Sequence, residues 1–282
     1  NTASVTQDGQ GNEAEVNQLG DENYAGVTQI GNVNEADVVQ DGDGNIASVG
    51  QGDDSNWAQV IQSGDDNDAG VIQSGYDNDA YVSQDGDDNQ ATVSQIGDGN
   101  DADVIQDGED NIAVVSQEGT GNEAAIIQEG IGASLAIGLS ENNEASITQE
   151  GDVNSASISQ SGYAAYLAIG ASYGNEAEIS QKGNSNQAKI NQDADAVALA
   201  GAVSGLNYAS IDQEGDGNSA TINQLAGKLF LVVGGDAIGN RAEVYQTGNS
   251  NDATITQSGS SNLATVAQSG SNNTATVTQG NN

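Results

Sequence analysis

An all-β solenoid of stacked strand-turn-strand rungs is the fold class that this sequence predicts, and three observations predict it. Glutamine recurs every eleven residues from Gln7 to Gln128, and the pattern resumes at 149, 160, 181, 192, 213, 224, 246, 257, 268 and 279. Within each ordinary unit the recurring apolar pair lies two apart, as in Ala102 and Val104. Proline is absent from all 282 residues. A short fixed period along a whole chain marks stacked repeats. Alternation marks strand and not helix, and without proline no ladder donor is missing.

The strand comes first in each unit. In Asn12-Glu13-Ala14-Glu15-Val16-Asn17-Gln18, the residues Asn12, Ala14, Val16 and Gln18 share one side of an extended chain. Glu13, Glu15 and Asn17 take the other. The turn follows, as in Leu19-Gly20-Asp21-Glu22-Asn23. Glycine and asparagine there accept the positive φ that a tight reversal needs.

Stacking comes next, because a face of Ala and Val has no core of its own. Two units of eleven residues make one rung, which sets residue i against i+22. The inward amides then align in ladders, each donating to one neighbour and accepting from the other. Gln73, Gln95 and Gln117 form one such ladder, Gln84, Gln106 and Gln128 a second, and Asn78, Asn100 and Asn122 a third. Twenty-six units run from Thr2 to Gln279, so residues 1–282 read as a single repeat domain. Thirteen rungs of two strands would stand about 60 Å tall.

Four units are degenerate, at 133–139, 165–171, 197–203 and 229–235. In the first, the inward set becomes Ala133, Leu135, Ile137 and Leu139. Repacking against Ala145 and Ile147 is one reading, and a surface strip for contact between stacks is another. Their spacing of 32 or 33 residues also admits three-strand rungs, although two-strand rungs throughout is the reading adopted.

Net charge is −38, and 31 of the 42 acidic residues lie at or before Glu150. On two-strand rungs one face is acidic, with Asp79, Asp101, Glu123 and Glu144 stacked in register. The other, with Ile72, Thr92 and Val114, is nearly neutral and is the face left for lateral bundling. Such acidity repels nucleic acid. Asp41-Gly42-Asp43-Gly44-Asn45 is superficially like a calcium loop, but the twelve-residue ligand set with its closing Glu is missing. No cofactor is expected beyond a weak association of calcium with the acidic columns.

Catalysis lacks the means. With no histidine or cysteine, the usual general bases and thiol nucleophiles are absent. Paired carboxylates on a flat sheet lack the pocket that would separate their pKa values. The chain is not expected to be an enzyme.

The unit Gln-x-Gly-x-x-Asn-x-Ala-x-x-x-Gln, in full repeats of 22 residues, resembles the curlin repeat of curli fibre subunits, which are secreted bacterial amyloid proteins. The match covers nearly the whole chain. It departs in having Asn12, Asn23 and Asn34 where that repeat opens with Ser, in its many repeats and in its acidity. The resemblance implies a structural subunit of extracellular fibres at the cell surface, in a biofilm matrix and active in adhesion. It implies a homopolymer, with a nucleating subunit and an outer-membrane secretion machinery as partners. The start at Asn1 then reads as a mature form after removal of an export signal. The alternative is a monomeric calcium-binding or ice-binding β-solenoid adhesin, for which Thr254, Thr256, Thr274, Thr276 and Thr278 supply only a short threonine array.

The two ends complete the reading. Thr2-Ala-Ser-Val-Thr-Gln7 and Thr274-Ala-Thr-Val-Thr-Gln279 are uncharged strands that already obey the motif. A bare edge templates further pairing, so Val5, Gln7, Val277 and Gln279 are the expected contacts of head-to-tail growth.

Overall fold

A computed structural model describes residues 1–133, 137–165, 169–197, 201–229 and 237–280. The middles of the four degenerate units, Leu135 among them, lie outside the described residues. So do the side chains of residues 131–139, and with them the repacking expected of Ala133, Ile137 and Leu139.

The strand Asp101–Asp107 shows why these residues form this element. Ala102, Val104 and Gln106 point inward and are buried, while Asp101 and Asp103 stay in water. Burying a valine such as Val104 contributes about 1.5–3 kcal/mol. The strand ends at Gly108, whose φ of 132° lies outside what a side chain tolerates. The rungs allow it no Cβ either, since one there would overlap the backbone carbonyl oxygen of Ser140. Asp110, with φ 56°, completes the reversal, and Asn111 opens the next strand.

Successive strands fall alternately into two parallel sheets of eleven strands each, which face one another across the core. Rungs are numbered here from the N-terminus. In the first six, each residue pairs with the one 22 further on, as Ala91 with Ala113 and Val104 with Ile126. Small Ala against Val or Ile fills the narrow space between the sheets, and from Ala25 to Ile255 this row is almost wholly buried.

The structure corrects the rung count and the two-strand rule together. Among the described residues there are eleven rungs and not thirteen, each with one strand in either sheet. Beside rungs six to nine stands a third, four-stranded sheet of Ile137–Glu141, Ile169–Tyr173, Gly201–Gly205 and Ala237–Ile238, each strand at or just beyond the end of a degenerate unit. Where other units place Asn after the turn, the degenerate ones carry Ala133, Ala165, Val197 and Leu229. With no amide to pin a reversal, the strand runs on past its glutamine, as in Glu123–Ala133 and Ser155–Ala165. The stacking interval becomes 32 residues, Gln128 pairing with Gln160, and the rung has three sides.

Candidate functional site

The inward amides are built by the repeat. Gln73 Nε2 donates to Gln95 Oε1 at 2.9 Å, Gln95 to Gln117 at 2.9 Å, and Gln117 to Gln149 at 2.9 Å. On the second sheet, Gln84 donates to Gln106 at 2.9 Å, Gln106 to Gln128 at 3.0 Å, and Gln128 to Gln160 at 2.9 Å. The other amide hydrogen of each crosses the core to a backbone carbonyl, as from Gln95 to Asp79 at 2.8 Å. Every buried hydrogen-bonding group of this ladder is therefore met, which removes a penalty of several kcal/mol.

The asparagines do a different job from the glutamines. Asn100 Nδ2 donates to Asn78 Oδ1 at 3.0 Å and to the Gly119 carbonyl at 3.0 Å; Asn122 repeats this toward Asn100 and Gly151. The backbone N–H of Asn100 also donates to Asn78 Oδ1, at 3.1 Å. Each asparagine thus fastens its own turn to those on either side. A plain alternation argument misses this, because it assigns asparagine only to a ladder.

It also misses the turn acids. Asp43 Oδ1 accepts the N–H of Asp21 at 2.7 Å, Asp65 that of Asp43 at 2.9 Å, and Asp87 that of Asp65 at 2.9 Å. Where the residue after a turn glycine is Asp or Asn, as at Asp43, Asp65 and Asp87, its side chain supplies an acceptor to the rung before. Asp43 is engaged in this way within the loop that looked like a calcium site. Among the described residues no group of three or more acidic side chains is arranged to hold a metal ion.

The acidic column is shorter than the sequence predicts. Asp79, Asp101 and Glu123 stand in register on the second sheet, but Glu123 next meets Ser155. Glu144 belongs to the first sheet, over Ile112, because the third strand of rung six shifts the alternation by one unit. Partial burial, and then the charges of Asp101 and Asp103, push the Asp79 carboxyl up to about 6. Burial likewise raises Asp103, with Asp101 and Glu123 adding to it, and Asp107, with Asp85 and Glu129. Later in the chain, Lys182 meets Glu150 at 3.0 Å in an exposed pair, and the Arg241 guanidinium lies 4.3 Å over the ring of Tyr208.

The rod ends are where the ladders stop. Gln7 and Gln18 donate inward to Gln29 and Gln40, at 2.7 and 2.8 Å, and among the described residues nothing donates to their Oε1 atoms. At the far end Gln268 accepts from Gln246 at 2.8 Å and Gln279 from Gln257 at 2.9 Å. Their own amides reach only the carbonyls of Asp252 and Leu263, so one N–H of each is left over among the described residues. One end therefore presents acceptors and the other donors.

The ends contain two strands each. Val5 and Gln7 close the first sheet, and Val277 and Gln279 close the second. They do not share a column. In a continued stack Val5 and Gln7 would follow Val266 and Gln268, and Val277 and Gln279 would precede Val16 and Gln18. Reading the ends from the outermost strands alone leaves out Val16, Gln18, Val266 and Gln268.

A family model described as the curlin associated repeat matches residues 1–31, 64–97, 75–108, 97–130, 108–137, 141–163, 205–228, 236–259 and 248–280, which together make up more than half of the chain. No curated protein matches it.

Proposed function

The chain belongs to the curlin-repeat family, whose members are structural subunits of extracellular amyloid fibres, and we propose that it polymerises head to tail into such fibres. The polarity of the rod ends carries this reading. Acceptors on Gln7 and Gln18 match donors on Gln268 and Gln279, in the same two columns and with the same spacing that each rung uses internally. Joining head to head would set acceptor against acceptor. Joining head to tail continues both the amide ladders and the valine rows. Homopolymer growth at the cell surface, in a biofilm matrix and in adhesion, follows from that reading. A nucleating subunit and an outer-membrane secretion machinery are the partners that family membership suggests.

The monomeric calcium- or ice-binding alternative finds less support. Outward threonines align over the last rungs of the second sheet, Thr221 with Thr254 and Thr254 with Thr276. Further back the same row holds Lys189, Asp103 and Tyr81, which interrupt a regular array. Cryo-microscopy and fibre diffraction after incubation at neutral pH test the proposal. Unbranched fibres with strands perpendicular to the axis and a spacing of about 4.8 Å are expected. Rods that stay single at high concentration would overturn it.

A further inference from the structure

On the outer side of the first sheet, rungs two to six expose Tyr24, Ile30, Ile46, Ile72, Ile96 and Ile112. Among them lies a hollow in which Gly26, Ser48, Gly50, Gly52 and Gly70 supply no bulk. It consists of two adjoining depressions of about 360 and 370 Å³. Each strand here has four outward positions. Rung two reads Tyr24, Gly26, Thr28, Ile30; rung three Ile46, Ser48, Gly50, Gly52; rung four Asp68, Gly70, Ile72, Ser74. Asp68 and Glu118 are the charges on the twenty outward positions of these five strands. The second sheet, by contrast, presents Glu13, Glu35, Asp79, Asp101 and Glu123.

We propose that this face docks on the same face of a second copy lying parallel beside it, about a two-fold axis that runs along the rod. Such an axis keeps each rung level and reverses the order along the strand. The first outward position then meets the fourth, and the second meets the third. Ile72 enters the gap at Gly70 of the second copy, Thr28 meets Gly26, Ile46 meets Gly52, and Tyr24 meets Ile30. Bulk lies opposite a gap at most of these positions. Asp68 faces Ser74 and Glu118 faces Ile112, so within these rungs no carboxylate opposes another. A two-fold axis along the strands of rung four would instead set Asp68 on Asp68 and Ile72 on Ile72.

Charge selects the occupant, because the remainder of a rod at −38 repels its copies and this face, with two charges on twenty positions, repels them least. The size sets when docking occurs. Five strands of four outward positions cover about 500 Å² on each copy, so about 1,000 Å² in all, the lower limit for a specific interface. Single rods pair weakly. A polymer repeats the face in every subunit, and the contacts then act together. In this respect the inference builds on the fibre reading, while the contact itself is between rods.

Gly70→Ile tests it, since a Cβ at Gly70 meets nothing within 4 Å and the hollow is filled without disturbing the rod. Fibres of this variant are expected to grow normally and to lose their bundles under microscopy. The double exchange Gly70→Ile with Ile72→Gly moves the knob and the gap together, and the two-fold axis again sets one against the other. Bundles should return. Bundling of Gly70→Ile at the level of the unaltered protein, or no recovery in the double variant, would overturn the proposal. Sedimentation of unpolymerised rods at high concentration reads the same contact without fibres. Self-association by the unaltered protein and the double variant, and its loss in Gly70→Ile, supports the pairing even if polymerisation fails. Equal self-association of all three refutes it.

Discussion

Gln95 donates its side-chain amide to Gln117 across 2.9 Å, one rung further along the rod, and both side chains are buried. Gln73 does the same to Gln95 from the rung before. A single residue thus satisfies two neighbours at once. Gln95→Ala would leave a donor on Gln73 and an acceptor on Gln117 unmet, at a cost of about 1–3 kcal/mol for each buried group. Thr92→Ala, exposed on the same strand, should stay within about 0.5 kcal/mol. Thermal unfolding compares them, and equal losses would contradict the assignment of faces.

Two glycines separate backbone need from empty space. Gly75 has φ 118°, and a Cβ there would lie 2.0 Å from the Gly97 carbonyl oxygen. Gly75→Ala should cost about 1–3 kcal/mol in backbone strain, with the clash added. Gly70→Ala meets nothing and should be neutral or stabilising by about 0.5 kcal/mol. Denaturant melts of the two variants that coincide would count against the close stacking of the turns.

Acid should stabilise the rod. The fold pushes the Asp79 carboxyl up from its ordinary 3.8 to about 6, so the fold disfavours its charged form. That penalty is present in full above about pH 6 and is lifted as pH falls through this value toward about 4. The melting temperature is therefore expected to rise between pH 7 and pH 4.5, by an amount read from circular dichroism. Asp101→Asn removes a neighbouring charge, and should stabilise the rod at pH 7 and flatten the rise. A profile that falls on mild acidification would rule out the acidic columns as its cause.

One end can be spoiled while the other is kept. Val277→Lys puts a charge inward on the terminal strand of the second sheet, and Val266→Lys does so on the first. Either variant still has Gln7 and Gln18 intact, so it should add to a growing fibre and then stop it. A small fraction mixed into unaltered protein should shorten the fibres, as electron microscopy would show. Normal length at equal proportions would exclude strand pairing at the ends.

Strand parity gives a sharper test of the same contact. Removing residues 270–282 takes Thr274–Gly280 from the second sheet and leaves Leu263–Ser269 on the first. The next subunit would then close over a notch one strand deep. Removing 259–282 takes away the whole last rung and leaves a flush end of Arg241–Thr247 and Asp252–Ser258. Growth followed by a fibre-binding dye should be slower for the shorter deletion than for the longer one. The reverse order would mean that the two sheets do not extend together.

Most of the fold is legible in the chain because eleven-residue spacing admits few alternatives. Ala102, Val104 and Gln106 could share a face only in a strand, and their burial follows from the period. The third sheet was harder to read, since apolar units can replace an inward row or leave it. One signal does separate these cases. Before its asparagine an ordinary turn has glycine three residues earlier, as Gly86 before Asn89, but the third-sheet strands bring Ser140, Ser172, Ser204 and Ala237 to that place. A chain arriving extended from a third side has no need of positive φ there. The turn acids were illegible for another reason. Asp43 and Asp65 bond to a rung 22 residues away, and an exposed acid gives no sign of that in a single unit.

Among the described residues, the third sheet flanks four of the eleven rungs and leaves seven with two sides. In a polymer of such rods the cross-section alternates, thick for about 19 Å and thin for about 34 Å, with a repeat of about 53 Å. Resistance to bending rises steeply with the breadth of a beam, so flexure concentrates in the thin stretches. The material is then a jointed cable and not a uniform wire, with one compliant segment per subunit. Its persistence length is set by how often the chain spends an extra strand on girth.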